Sequence, residues 1–257
     1  MLIASFNCNS VRARMPVLQK WLDEVSPDVL SLQETKVVDK DFPRAELEAM
    51  GYNSVFMGEK SYNGVAVISR KKIDQVFYGF DGTGSDEGTR LISVKIGKLN
   101  IVNTYVPQGV SPDSEKFQYK LEWFRKLGVF FDKRYKRDDL LLWLGDFNVA
   151  PEPVDVHSPK KLLGNVGFHP DEHRELAEVK KWGFTDLYRK LNPDGGQYTF
   201  WDYRVKDGVG RGLGWRVDHI WGTAPVEKIL RKSWIDVNPR LMEKPSDHTP
   251  ILADLKI

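Results

Sequence analysis

A single cysteine, Cys8, leaves no intramolecular disulfide and no Cys-rich zinc site, which fits a reducing compartment. Cys8 is read as a buried packing residue rather than a reactive thiol. No apolar run approaches the roughly 20 residues that cross a bilayer. The opening stretch Met1-Leu2-Ile3-Ala4-Ser5-Phe6 is too short and too uncharged for a signal peptide. Strand-like sequence runs from residue 2 to residue 257, so no targeting tail, no membrane contact and a cytoplasmic location are expected. Charge of one sign is also missing: 38 Lys and Arg face 36 Asp and Glu, a net charge of +2, which neither demands nor excludes a polyanionic partner. There is no GxxxxGK loop, no GxSxG elbow, no HExxH helix and no Cys pair, so kinase, serine hydrolase and zinc protease chemistries fall away.

What is present is a large apolar fraction. With 41% hydrophobic and 12% aromatic residues among 257, the chain can bury a substantial core and is read as one domain. Short β-branched runs predict strands at Leu2 to Phe6, Val29 to Gln33, Gly64 to Ser69, Leu91 to Ile96, Asn100 to Tyr105, Leu140 to Leu144, Val217 to Trp221, Ile235 to Val237 and Ile251 to Leu255. Between them, Val17, Leu18, Trp21, Leu22 and Val25 follow helical spacing, as do Phe117, Leu121, Phe124 and Phe131. Leu176, Val179 and Trp182 mark another helix, stopped by Gly183. Gly97-Lys98 reads as a tight hairpin, so part of the sheet is antiparallel. Helices with one apolar face must cover a sheet, and this many strands exceed one flat layer. The expected fold is therefore α/β, a four-layer sandwich of two packed mixed β-sheets flanked by helices. Gly82 to Gly88 and Lys206 to Gly214 are Gly-rich and read as mobile loops.

Polar groups recur where apolar runs stop, which suggests one shared site. Glu34 follows Val29-Leu30-Ser31-Leu32-Gln33 and should emerge at the end of a buried strand, where a carboxylate suits a hard cation together with Asn7 or Asp247. The plainer reading is a salt bridge to Lys36. Asp146 and Asn148 flank Phe147 after another apolar run and point the same way if extended. A carboxylate can accept a proton from water, and an amide can donate to an oxyanion without titrating. An Asx-turn before Pro151 and Pro153 explains the pair equally well. His248 follows Asp247, but neighbours point apart, so Asp218 is the better carboxylate to orient its ring and hold it as a cation for a phosphate oxygen. His157, His169, His173 and His219 are read as structural. Tyr105 closes a strand just before Pro107, where a phenol either reaches a phosphate or caps the core. Phe200, Trp201, Tyr203 and Trp215 mingle with Arg204, Arg211 and Arg216, a mixture suited to an unpaired nucleotide or sugar beside a phosphate backbone.

In this order the motifs resemble the exonuclease III family of abasic-site endonucleases, within the endonuclease/exonuclease/phosphatase superfamily. The likeness runs through Phe6-Asn7-Cys8-Asn9-Ser10, Leu32-Gln33-Glu34-Thr35-Lys36, Asn63-Gly64-Val65-Ala66, Tyr105-Val106-Pro107-Gln108-Gly109 and Gly145-Asp146-Phe147-Asn148-Val149-Ala150-Pro151. It continues through Tyr198-Thr199-Phe200-Trp201-Asp202-Tyr203-Arg204, Gly214-Trp215-Arg216-Val217-Asp218-His219 and Ser246-Asp247-His248, and so covers the whole chain. The superfamily also contains pancreatic-type deoxyribonucleases, inositol polyphosphate phosphatases, sphingomyelinases and deadenylases. Asn9 stands where some relatives carry Asp, and the stretch after Pro107 lacks an Arg that others place there.

The resemblance implies a deoxyribonuclease I-like fold and Mg²⁺, with Mn²⁺ able to substitute, held by Glu34 with Asn7 and Asp247; Asp146 and Asn148 are further candidate ligands. It implies that Asp146 aligns or deprotonates water, and that His248, oriented by Asp218, binds the scissile phosphate with Asn148 and Tyr105. Phe200, Trp215 and Val217 would wall a pocket for an extrahelical sugar without a base, and Arg204, Arg211 and Arg216 would contact DNA. The implied substrate is double-stranded DNA with abasic sites or 3′ ends, cut 5′ to the lesion to leave a 3′-hydroxyl by a monomeric enzyme. A lipid or inositol phosphodiesterase and a non-catalytic DNA-binding module are the competing readings. The first lacks a membrane-facing apolar loop, and the second would not need both Glu34 and His248.

Overall fold

The alternation of short apolar runs and amphipathic stretches is realised in a computed structural model that describes residues 1–84 and 88–257. In chain order the first half contains β1 (Leu2–Asn7), α1 (Val11–Val25), β2 (Val29–Gln33), α2 (Arg44–Ala49), β3 (Asn53–Met57), β4 (Val65–Ser69), β5 (Gln75–Tyr78), β6 (Leu91–Ile96) and β7 (Leu99–Tyr105). There follow α3 (Glu115–Arg134), β8 (Leu141–Asp146), α4 (Pro159–Leu162), α5 (Pro170–Lys181), β9 (Phe184–Asp186), α6 (Leu187–Leu191), β10 (Asp218–Thr223), α7 (Ala224–Ile229), β11 (Leu230–Ile235) and β12 (Ile251–Leu255). No helix among the described residues is long and apolar enough to cross a membrane.

The strands form two six-stranded mixed sheets, ordered β11-β12-β1-β2-β4-β3 and β5-β6-β7-β8-β10-β9. Each sheet has one parallel pair at its centre, β1 with β2 and β7 with β8, and antiparallel pairs outward from it. Ile3, Val67, Ile101, Leu144 and Ile251 belong to the core between the sheets. Leu18, Trp21 and Leu22 of α1 cover the outer face of the first sheet. Trp123, Phe124 and Phe131 of α3, with Leu176 and Val179 of α5, cover the outer face of the second. The four-layer sandwich and the Gly97-Lys98 hairpin are thus as expected, with Ile96 paired to Leu99.

The strands that differ from expectation are all sheet edges. β3, β5 and β9 lie where no strand is expected, and Ile235 closes β11, which begins at Leu230, instead of opening a strand to Val237. Edge strands bury one flank only, so polar residues such as Arg231 and Lys232 break the apolar run that reveals central strands. Of the Gly82 to Gly88 segment, residues 85–87 lie outside the described residues.

Candidate active site

The ladder registers assemble the site. Across the second sheet Tyr105 pairs with Asp146, and Asp146 pairs with Asp218, so three strand ends place three functional side chains in one row. In the first sheet Asn7 pairs with Gln33, which puts Glu34 immediately beyond the strand end. Glu34 and Asn148 have φ of +52° and +51°, left-handed values that turn the chain sharply at both sites. The two sheets converge there: Asn7 Nδ2 donates to Glu34 Oε1 at 2.7 Å and to Asp146 Oδ2 at 2.9 Å.

Asp146 and Asn148 converge for a reason other than strand alternation. The Asn148 backbone N–H donates to Asp146 Oδ1 at 2.8 Å, an Asx-turn, and the same turn brings Asn148 Nδ2 to 3.2 Å from Asp146 Oδ2. The two readings of the pair are therefore compatible. The same holds for Glu34, which faces the site and also pairs with Lys36 at 2.7 Å. Burial would raise the Glu34 carboxyl pKa, but Lys36 outweighs it and holds it below the usual range.

His248 Nδ1 donates to Asp218 Oδ2 at 2.7 Å, while its Nε2 lies 3.9 Å from Asp146 Oδ2. Burial would lower the histidine pKa, but the Asp218 and then the Asp146 carboxylates outweigh it and push it up to about 10. The imidazole is therefore a cation at neutral pH. Asp146 moves upward to about 7, mainly through burial, with His248 opposing and Asp218 and Glu34 adding to the rise. Burial, with the charges of Glu34 and Asp146, raises Tyr105 well above the usual phenol range, so it stays a hydroxyl donor.

Ligand atoms of Glu34, Asp146 and His248 lie within 4.8 Å of one another. A cationic His cannot ligate, so the donors that remain are the buried Asp146 and half-buried Glu34 carboxylates, hard oxygens that fit Mg²⁺ better than a soft or nitrogen-preferring metal. Asn7 presents its amide N–H groups to both carboxylates and orients them. Asp247 faces the same cavity, where its Oδ1 accepts from Asn9 Nδ2 at 2.9 Å, outside the tight cluster.

Beside these groups opens a cavity of about 630 Å³, lined among others by Tyr105, Asn148, Phe200, Trp215, Val217 and His248. Phe200 is bridged through its backbone to both Trp215 and His248, and its ring lies 4.9 Å from the imidazole. The expected pocket residues therefore do stand together. His157, expected to be structural, also lines the cavity.

The three arginines part company. Arg204 is 89% exposed, paired with Asp202, and Arg211 is exposed with a bond to the Lys206 carbonyl. Arg216 corrects the expectation of DNA contact: its side chain is 0% exposed. It is spent on Asp155 (2.7 Å), Asp186 (2.8 Å) and His219 Nδ1 (2.9 Å). It lies between Trp215 and Val217, so alternation turns it inward while they face the cavity. His219 donates from Nε2 to the Val149 carbonyl at 2.9 Å and is structural, as expected. Lys36 and Asn9 are joined by a 2.6 Å bond at the cavity rim, a place the sequence does not reveal: there Lys36 enters only as a salt-bridge partner of Glu34, and Asn9 only where some relatives carry Asp.

A two-sheet sandwich whose converging strand ends carry a carboxylate pair, a cationic His-Asp couple and an aromatic cavity defines a metal-assisted phosphoester hydrolase. The chain belongs to the Endonuclease/Exonuclease/phosphatase family, whose profile matches residues 4–248. It is 33% identical over 268 residues to exodeoxyribonuclease III of Haemophilus influenzae, covering 100% of both chains. Among solved structures it is similar to an AP endonuclease from Archaeoglobus fulgidus, at 45% identity, TM-score 0.96 and 100% coverage of both chains. A Neisseria 3′ phosphatase solved with a product DNA hairpin is similar at 35% identity and TM-score 0.94, again over 100% of both chains.

Proposed function

We propose that the protein is a DNA-repair nuclease that hydrolyses the phosphodiester 5′ to an abasic site, leaves a 3′-hydroxyl, and also removes residues from 3′ ends. The observation that carries this reading is the cavity walled by Phe200, Trp215 and Val217 directly beside the His248 cation. A sugar that has lost its base fits such a pocket and is cheaper to turn out of the duplex, because little pairing or stacking is given up.

His248 holds a non-bridging phosphate oxygen by charge, and Asp218 keeps its ring oriented and protonated. Tyr105 adds a hydroxyl donor to the same phosphate, and Asn148, whose Nδ2 hydrogens go to Val106 O at 2.9 Å and Asp146 Oδ2 at 3.2 Å, joins it by giving up the longer bond. Asp146 aligns the attacking water and accepts its proton, for which a carboxyl raised towards neutrality is suited. Glu34 and Asp146, with Asp247 beside them, would hold Mg²⁺, with Mn²⁺ as a substitute. When bound, the ion neutralises charge that develops on the phosphoryl oxygens. The exposed Arg204 and Arg211 contact flanking backbone phosphates. One chain supplies every group of the site, so no second copy is needed to complete it, and the proposed working form is a monomeric single domain on duplex DNA, in the cytoplasm.

The test is a duplex with one tetrahydrofuran abasic analogue, incubated with Mg²⁺ or with EDTA beside an undamaged duplex. Mg²⁺-dependent nicking 5′ to the analogue is expected. Inactivity on it, with hydrolysis of an inositol phosphate, would replace the substrate and keep the chemistry.

A further inference from the structure

Behind the phosphate-facing wall lies a buried ion pair that the chemistry above does not use. Lys120 of α3 and Glu172 of α5 are both 0% exposed, with Nζ 2.5 Å from Glu172 Oε1. An ammonium has three donors. The other partners of Lys120 Nζ are the carbonyl oxygens of Asn148 at 2.7 Å and Gln108 at 3.1 Å. Those carbonyls belong to the loops that follow β8 and β7: the first carries Asn148 to the cavity, and the second leaves the strand end at Tyr105.

Asn148 holds a left-handed backbone, a conformation that Asn tolerates better than most side chains when local hydrogen bonds fix it. Lys120 clamps its carbonyl, and Asp146 Oδ1 takes its N–H. The Asn148 amide is then aimed by Val106 O, which accepts from Nδ2 at 2.9 Å. Glu172 carries the connection onward by accepting from Gly167 N at 2.8 Å and His169 N at 3.1 Å. Gly167 packs under the sugar pocket: a Cβ at that position would lie 3.4 Å from the Trp215 ring. One ion pair therefore ties the Asn148 loop, and the loop that leaves the strand at Tyr105, to the floor of the pocket.

We propose that Lys120 and Glu172 are positioning residues that hold the phosphate donors and the pocket wall in one geometry. A buried ion pair is typically no more stable than apolar residues of the same volume. Its directed hydrogen bonds to Asn148 and Gln108 are what such residues could not supply. This rests on the abasic-site reading above.

The test compares wild type, Lys120→Met/Glu172→Leu and Glu172→Gln by thermal unfolding, by Kd for the tetrahydrofuran duplex in EDTA, and by kcat and KM in Mg²⁺. The double variant is expected to unfold within about 5 °C of wild type. Its kcat should fall about 10- to 100-fold, because a misplacement near 1 Å is enough to cost that much. Kd should change less than about 3-fold, since binding draws on many phosphate contacts elsewhere. Wild-type kcat in the folded double variant overturns the proposal. Should that variant not fold, Glu172→Gln decides, because it keeps size and an acceptor oxygen while removing the charge that fixes the ammonium. A kcat loss near 10-fold with Kd retained supports the proposal, and wild-type kcat overturns it. An inactive wild type on this duplex removes the abasic-site reading itself, and the proposal with it, so the two failures are distinct.

Discussion

Asp218 stands directly opposite Asp146 in the β8–β10 ladder, yet the two carboxylates do different work. Asp218 Oδ2 is taken by His248 Nδ1 at 2.7 Å, whereas Asp146 faces Asn7, Asn148 and the His248 Nε2 edge. Neighbours across one ladder thus face different partners, Asp218 the His248 ring and Asp146 two amides beside the open edge of that ring.

Asp218→Asn should leave the fold intact and lower cleavage by about 10² to 10⁴. The sign for pH follows from His248, whose pKa is raised to about 10 by Asp218 and Asp146 against the effect of burial. The cation is kept below that pH and lost above it. Without the Asp218 charge the pKa falls, so the alkaline limb of the pH–rate profile should move to lower pH in the variant. An unmoved limb with full activity would break the assignment.

Gly145→Ala should disable the enzyme through the backbone. Gly145 has φ of +133°, and a Cβ there would lie 2.0 Å from the Thr104 carbonyl oxygen across the parallel β7–β8 pair. Backbone cannot yield as a side-chain tip can, so a loss of about 3 kcal/mol or more is expected in denaturant unfolding. Asp146 is the next residue, so activity should fall further than the folded fraction does.

The buried charge cluster predicts acid sensitivity. Burial would raise Asp155 and Asp186, but the Arg216 guanidinium outweighs it and holds both below the usual carboxyl range. Depressed folded-state values stabilise above the unfolded pKa of about 3.9 and lose that contribution as pH falls towards the folded values. Stability should therefore drop steeply below about pH 4. Arg216→Met removes the main charge partner of both carboxylates, leaving Asp155 with Arg189 alone, and should cost about 3–5 kcal/mol at neutral pH. Equal stability of wild type and variant at pH 7 would contradict the network.

Salt separates the arginines. Arg204→Ala and Arg211→Ala should each lower the slope of log affinity for duplex DNA against log salt by about 1. Arg216→Met, where folded, should leave that slope unchanged because its guanidinium never meets solvent. Slopes measured by fluorescence anisotropy across a salt series decide this.

By itself the sequence determined the central strands, the helices that cover them and most of the site. Val29 to Gln33 and Leu141 to Leu144 are buried on both faces, and the polar groups at their ends, Glu34 and Asp146, could only emerge at the rim. Tertiary structure alone decided the sheet edges, because β3, β5, β9 and β11 owe their pairing to a neighbour on one side rather than to a run of their own. It also decided which charges are solvated. Arg216 shares a motif with Trp215 but finds Asp155 and Asp186, which are 61 and 30 positions away. Lys120 sits on an apolar helix face and finds Glu172, 52 positions away. A charge can be buried only where distant partners meet it, and that meeting exists once the two sheets and their helices have closed together.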